Sequence, residues 1–590
     1  MSADASRLEA EAAADRTWGL ELALRGLPGV LSFLQVGAHP DDETSGLLAM
    51  LVRRHAVSVG YACATRGEGG QNALGPERNA ALGALRTDEM EAAAARLGIS
   101  IHWLAEPGDE ALRDFGFSKS AEDTLRRWGH AHALERLVRC IRRVRPDILC
   151  TTFRDVGGQH GHHRAISRLT AEAFRIAGDA VWAPSLLYEP AWSGADGSYD
   201  DETPSLAGHV VFDTGECDPA NGVPYARIGE WSRACHRTQE MGRWIEAGAR
   251  EVSLRLVARN DGATVIANRL GQSLPATLRE LADATGIAAL GAVQDLVEQA
   301  RADMPDRAAV RRYLEEARKV LATIRAPEPL AGRLARKGAQ LRAAICLAAE
   351  DSGRCPMPAI RPPAPSVVRD VPSNGIARPT GTHVAYLGGG LDTIAEWIAA
   401  LGIDVVDMRD LDPAALAHGG FTTVLVGIRA FERRADLCAN VAVLHDFVRA
   451  GGHLVTMYHR GGGSWLPDRM PLARIEIGRP SIRWRACDPG APVEIAIPDH
   501  PLMNFPNRIG PADWWGWQRE RGLYFASAWD PAYEPLLRVT DPGEAPHAGS
   551  VLSGRFGKGR HTHVALALHN EIEFGTLGAL RLLCNFVAPA

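Results

Sequence analysis

No pair of cysteines in this chain is spaced as CxxC. Ten cysteines are scattered over 590 residues. That pattern argues against a zinc ribbon and offers no framework for a disulfide-stapled fold. They read as reduced, mostly buried thiols of a cytoplasmic protein. Long apolar runs are missing too: no window approaches ~18 consecutive apolar residues, so no transmembrane helix is expected. The opening MSADASRLEAEAAADRTWGL is acidic and lacks the apolar core of a secretory signal. Basic clusters are also absent. The net charge is -6 with lysine and arginine dispersed, so nucleic acid is not an expected partner. There is no internal repeat and no low-complexity tract. What remains is an ordinary globular balance, 46% apolar and 23% charged, in a chain too long for one core. Two or three domains are expected.

Strand and helix patterns alternate from the start. The runs VLSFLQV (30–36), AVSVGYACAT (56–65), ISIHWL (99–104) and DILCTTF (147–153) read as buried strands. Between them, TSGLLAMLVRRH, TDEMEAAAARL closed by Gly98, and 131–145 stopped by Pro146 read as helices. Alternation of this kind predicts a parallel sheet with helices on both faces. The expected organisation is a Rossmann-like α/β domain over 1–240, a helical region over 241–355, a linker over 356–380 and a second doubly wound α/β domain over 381–590. Seven prolines between 352 and 380 mark the linker. Within 306–325, Val310, Tyr313, Leu314, Ala317, Val320, Leu321 and Ile324 follow a near-heptad spacing that reads as bundle core.

Chemistry concentrates where two predicted strands end. QVGAHPDDETS (35–45) sets a histidine, two adjacent aspartates and a glutamate directly after the first strand. In an open parallel sheet, ligands bind beyond the carboxyl ends of the strands. Adjacent carboxylates repel unless a positive group holds them, and a cation is the simplest one. His39 and Asp42 sit three apart, so both can reach one ion, which leaves Asp41 free as a base. The end of the fourth strand, FRDVGGQHGHHRAI (153–166), supplies a third ligand in His163. Two nitrogens and one carboxylate oxygen suit zinc with an open position for water, and iron or cobalt fit the same donors. A cation of this kind acidifies water at neutral pH. Asp41 then takes the proton and His160 stabilises an oxyanion, which is the chemistry of amide hydrolysis. His162 either supports His160 or faces solvent. Read singly, HPDD is also a helix N-cap and HxxH a chance spacing; together, at two strand ends, they point to a site.

GAHPDDE (37–43) and QHGHHRA (159–165) resemble the two signature blocks of the PIG-L, or LmbE-like, metal-dependent N-deacetylases. ATRGEGGQN and RTDE, which carries Arg86 and Glu89, extend the resemblance over about residues 28–240. It implies removal of an N-acetyl group from an amino sugar or glycoconjugate, with zinc or another divalent metal on His39, Asp42 and His163. Asp41 would be the base and His160 the oxyanion residue. Arg86 falls at a substrate-contacting arginine of the family; its alternative is a helix-surface ion pair. Glu68 would brace the glycine-rich loop. The family's second block is usually HPDH, and here it is HGHH, so an orienting aspartate is missing: either Asp155 takes its place or His160 is tuned differently. Residues 376–590 resemble a glutamine-amidotransferase-like domain, but the turn GIRAFERR has no cysteine and Cys438 lies further on in a helix, so that domain is expected to be catalytically silent. Trp514, Trp515 and Trp517 are expected to pack, or else to contact sugar; His459 and His569 are weaker candidates for the same groove. Two other readings remain: a metal-dependent hydrolase of another small acylated amine, and a carbohydrate-binding protein with a structural metal. Oligomeric state is left unassigned.

Overall fold

The computed structural model describes residues 3–15, 19–191, 205–260, 264–349, 371, 375–462 and 465–590. Two seven-stranded sheets organise it. The first contains β1 (Ser32–Gly37), β2 (Ser58–Cys63), β3 (Ser100–Trp103), β4 (Ile148–Thr151), β5 (Leu186–Pro190), β6 (Val210–Asp213) and β7 (Glu251–Arg259). Its order is β3-β2-β1-β4-β5-β7-β6. The pairings from β3 through β5 are parallel; β7 runs antiparallel to both β5 and β6. Every residue of β1 is buried, as a central parallel strand with helices on both faces requires. One layer packs Phe33, Tyr61, Leu47, Met90 and Trp231 together; the other packs Leu34, Val36, Leu137, Ile141 and Leu169.

The strand β7 corrects the expectation of an all-helical 241–355. It belongs to the first sheet, and its residues alternate too weakly to be recognised by pattern: most are half-exposed at an antiparallel margin. The helices of this region run from Leu278 to Ala349. Val310, Leu314, Ala317 and Leu321 of the helix Arg307–Thr323 are buried against the helices Ala288–Ala302 and Leu330–Ala349, with Leu20 and Leu24 from near the N-terminus. The helix expected over 87–97 begins at Asn79, two turns earlier, and ends on left-handed Gly98. Most of the proline-rich 352–380 lies outside the described residues.

The second sheet is built on β8 (His383–Leu387), β9 (Asp404–Asp407), β10 (Thr423–Val426), β11 (His453–Met457) and the strand Gly559–Val564, parallel in the order β9-β8-β10-β11-(559–564). Val551–Phe556 and Glu534–Pro535 extend it in antiparallel fashion. It is an open, doubly wound sheet whose strand order reverses between β8 and β10. In the first sheet the order reverses between β1 and β4. Crevices at such reversals are the ligand sites of open α/β sheets. Trp514 and Trp517 are buried in the core of this second unit and Trp515 is exposed, so this stretch packs rather than lining a groove.

Candidate active site

The chain leaves β1 at Gly37, where a side chain would collide with the Tyr61 hydroxyl. It turns through Asp41, which adopts a φ of 101°, a left-handed region that aspartate and asparagine tolerate better than most residues. This turn folds Asp42 back. Its Oδ2 accepts the backbone N–H groups of Ala38 (3.0 Å) and His39 (2.8 Å). Tyr61 donates its hydroxyl to the His39 carbonyl at 2.7 Å. The helix Gly161–Ile176 follows β4 and carries His162 and His163 in its first turn.

His39 Nδ1, His163 Nε2 and the Asp42 carboxylate converge. His39 Nδ1 lies 3.2 Å from His163 Nε2 and 3.3 Å from Asp42 Oδ2, and His163 Nε2 lies 3.1 Å from Asp42 Oδ1. Those separations approach the edge of a tetrahedron around a metal with bonds of about 2.0–2.1 Å, roughly 3.3 Å. The other ring nitrogens are taken: His163 Nδ1 donates to Gln159 Oε1 at 2.7 Å, and His39 Nε2 is 2.9 Å from His162 Nδ1. Each ring therefore turns one nitrogen inward, as second partners do around a metal. His39, His160 and His162 also bring nitrogens together. That set lacks a carboxylate. The set with Asp42 is the better cradle for a divalent cation.

The local field agrees. Burial disfavours a charged His39, yet Asp42, Asp114 and Asp41 carry its pKa up to about 9. Burial likewise opposes ionisation of Asp42, but His163 and His39 outweigh it and hold the pKa well below the carboxylate range. The pocket favours positive charge at its centre. Asp41 is pushed the other way, to about 7, by burial and by the charge of Asp42; Arg86, His236 and His39 oppose the rise.

His160 caps the helix that follows it. Its Nδ1 accepts the backbone N–H of His162 at 2.9 Å, so a neutral ring carries its proton on Nε2. Burial, with the neighbouring histidines, keeps His160 neutral. The ring packs on Phe117 at 4.2 Å, and the Arg485 guanidinium lies over the Phe117 ring at 3.9 Å.

Asp155 does not orient His160. Its carboxylate is held by Arg164 (3.0 Å) and Arg168 (2.8 Å), which the following helix presents to it. The backbone N–H of His162 does the orienting. His162 is fully buried, against His39, 3.7 Å from Asp114 and with its ring 4.6 Å from that of His160, so it does not face solvent. Arg86 is buried rather than on a helix surface. It donates to the Gln71 carbonyl at 2.6 Å and packs where a side chain on Gly70 would sit. Glu68 accepts the N–H groups of Arg66 and Asp114, bracing the loop it belongs to. Asp114, Gln159 and Phe153, which stacks on His163 at 4.0 Å, received no role from the sequence. Nor did the buried pair Glu43–His236 at 3.0 Å. Glu43 stood inside the quoted motif, but nothing in its spacing names His236 as partner.

His39, Asp41, Asp42, Arg86, His160 and His163 line one cavity of about 340 Å³. Its far wall comes from the second α/β unit, through Ile428, Tyr458, Arg485, Tyr524 and His569. His459 is absent from it: Nδ1 donates to the Met457 carbonyl and Nε2 accepts the Phe431 N–H, a satisfied core histidine. The two units are joined beside the cavity. Lys119 pairs with Glu544 (2.6 Å) and Asp541 (3.1 Å), Arg519 donates to Asn79 Oδ1 at 2.6 Å, and Glu240 meets Arg429 at 3.0 Å. Arg429 stands at the sharp turn between β10 and the next helix with φ 53°, where a nucleophile would be displayed. Cys438 is in a later helix, its thiol donating to the Phe431 carbonyl.

Comparison with known proteins places this geometry. A 1D-myo-inositol 2-acetamido-2-deoxy-alpha-D-glucopyranoside deacetylase of Streptomyces avermitilis is 33% identical over 166 residues, 26% of this chain and 56% of that protein. A deacetylase of the same description from Frankia alni is 36% identical over 164 residues, 25% of this chain and 55% of that protein. The chain spans about half the length of the curated relatives it matches. Among solved structures, an N,N'-diacetylchitobiose deacetylase from Pyrococcus horikoshii aligns at 17% identity and a TM-score of 0.24, covering 38% of this chain and 83% of that one. The stretch carrying all of His39, Asp41, Asp42, His160 and His163 is residues 34–174, and it is this stretch that matches the PIG-L family model, GlcNAc-PI de-N-acetylase.

Proposed function

We propose that the protein hydrolyses the N-acetyl, or another N-acyl, amide of an amino sugar or glycoconjugate. One observation carries the reading: three inward-turned ligand atoms, a spare carboxylate and an N–H-bearing imidazole meet in one cavity at a strand-order reversal. The deacetylase relatives and the PIG-L match support the same reading. His39, Asp42 and His163 would hold a divalent metal, with zinc the best fit to two nitrogens and one oxygen. Such an ion supplies Lewis-acid activation of a water nucleophile.

The chain's own residues do the rest. Asp41 takes a proton from the attacking water and returns it to the leaving amine. His160, with its proton on Nε2 and Nδ1 occupied, donates to the developing oxyanion. The aromatic stack of Phe117 and Arg485 fixes that ring. Arg86 orients the sugar beside the base. The second α/β unit does no chemistry of its own, because an arginine occupies the turn where a thiol nucleophile would stand.

Two measurements test this. The purified chain should contain about one divalent metal, lost when His39, Asp42 and His163 are all replaced by alanine; elemental analysis showing metal retained in that variant would remove the ligand assignment. Free-amine release should be metal-dependent across a panel of N-acetyl amino sugars and glycoconjugates. No release from any of them by the metal-loaded protein would overturn the activity.

A further inference from the structure

The cavity has two walls, and only one is needed for the chemistry above. The carboxyl ends of both sheets face it: residues after β1 and β4 form one side, and residues after β10, β11 and Gly559–Val564 form the other. Four arginines line it. Arg485 is paired with Glu520 at 3.3 Å, and Arg429 with Glu432 and Glu240 at 2.8 and 3.0 Å. Arg86 is the arginine beside Asp41. Arg78 is different. Its guanidinium donates to the carbonyls of Leu391 (2.6 Å), Glu77 (2.9 Å) and Gly75 (3.4 Å), and no carboxylate among the described residues lies within ion-pair distance.

A half-buried guanidinium cannot shed its charge; Asp392, Glu573 and Glu77 act on it, but from beyond ion-pair distance, and the groups it touches are neutral carbonyls. Across from it, His569 is 93% buried (7% exposed) and lines the cavity, with no hydrogen-bond partner for Nδ1; its Nε2 is 3.4 Å from the Tyr458 hydroxyl. Burial and then the charge of Arg78 hold His569 neutral, which shows that the two share one field. With Nε2 accepting the Tyr458 hydroxyl, the one proton of the neutral His569 ring sits on Nδ1, and that N–H and a fixed cation facing one space are donors for an anion. Arg78 comes from the cap of the helix Asn79–Leu97, and Leu391, Tyr458 and His569 come from the second unit, so the set exists only when both units are assembled.

We propose that Arg78 and His569, the latter held in its tautomer by Tyr458, form a subsite for an acidic group, phosphate or carboxylate, carried by the substrate at a distance from its N-acyl group. The proposal rests on the deacetylase reading only in joining that group to the scissile amide. The second unit is thereby a specificity wall, and the preferred substrates are acidic amino-sugar derivatives rather than neutral ones.

Calorimetric titration of the metal-loaded full chain tests it, with N-acetylglucosamine, its 6-phosphate, its 1-phosphate, N-acetylmuramic acid and inorganic phosphate as probes. At least one acidic sugar should bind roughly tenfold or more tightly than the neutral sugar. Which one does so separates phosphate from carboxylate. Arg78→Gln should erase that preference and leave neutral-sugar affinity and metal content unchanged, while Arg78→Lys should retain part of it. Equal binding of neutral and acidic sugars would overturn the subsite, as would a preference that survives in Arg78→Gln. Because binding is read apart from amine release, an acid preference without hydrolysis of any probe would refute the deacetylase reading and uphold the subsite.

Discussion

Asp41→Asn is expected to lower turnover by on the order of a hundredfold or more while leaving metal content and melting temperature at the level of the unaltered protein. The substitution is nearly isosteric. Asparagine tolerates the positive φ that residue 41 adopts, so the turn that presents Asp42 is preserved. The backbone N–H of residue 41 keeps its bond to Glu43 Oε2, and the Asp42 carboxylate keeps its two backbone donors. What changes is the capacity to accept a proton next to the ligand cluster: a carboxylate can, an amide cannot. The measurement is initial rate of amine release beside elemental analysis of the same preparation. Near-normal turnover with full metal would assign the proton to another group. Loss of metal together with activity would place Asp41 among the ligands instead.

Acidification is expected to unfold the second α/β unit well before ordinary carboxylate titration. His453, His459, His561 and His563 are each 0% exposed. Burial is the first cause in every case, holding His453 and His459 at about 4, His563 at about 3 and His561 well below the ordinary value. The hydrogen bonds show why the neutral rings are required. His459 Nε2 accepts the Phe431 N–H and His453 Nδ1 donates to the Ala588 carbonyl, each fixing one tautomer. A proton added to His459 Nε2 would oppose the N–H it now accepts. The sign follows from linkage. The folded pKa values lie below the unfolded value of about 6.5, so the unfolded chain binds more protons between the two. Stability is therefore fully present above about pH 6.5 and falls as pH drops towards 4, at up to roughly 1.4 kcal/mol per pH unit for each histidine. Four together can remove at most about 11 kcal/mol within two pH units, comparable to a whole domain's stability of about 5–15 kcal/mol. Trp465 lies 5.2 Å from His459 and 5.1 Å from His563, ring to ring, so its fluorescence reports on this unit. Melting curves from pH 7.5 to 5.0 should shift down steeply, and His563→Leu should make the shift shallower. A melting temperature that stays level over that range would show that these rings are charged at no cost.

Much of this was legible because it is local. Strands β1 to β4 of the first sheet announce themselves as short apolar runs, and the ligating residues stand in the segments that follow two of them, His39 and Asp42 three residues apart. Spacing of that kind survives any arrangement of the rest of the chain. The strand Glu251–Arg259 was not legible, since a half-exposed antiparallel margin carries neither a continuous apolar run nor clean alternation. Asp155 was misread for a related reason. Its nearness to His160 in sequence suggested support, but the helix presents Arg164 and Arg168 to it, and two guanidinium groups outbid one imidazole for a carboxylate.

The sequence by itself determined which side chains can meet at the head of the first sheet: strand ends and helix starts are set by local pattern, and His39, Asp42 and His163 ride on them. Only the tertiary structure decided what stands opposite. Arg78 and the Leu391 carbonyl are 313 residues apart and Tyr458 and His569 are 111 apart. No periodicity relates such positions. They come together because two doubly wound sheets turn their carboxyl ends towards one space, and that mutual orientation is fixed by packing and by contacts such as Lys119 to Glu544 and Arg519 to Asn79, which hold the two units across the cavity.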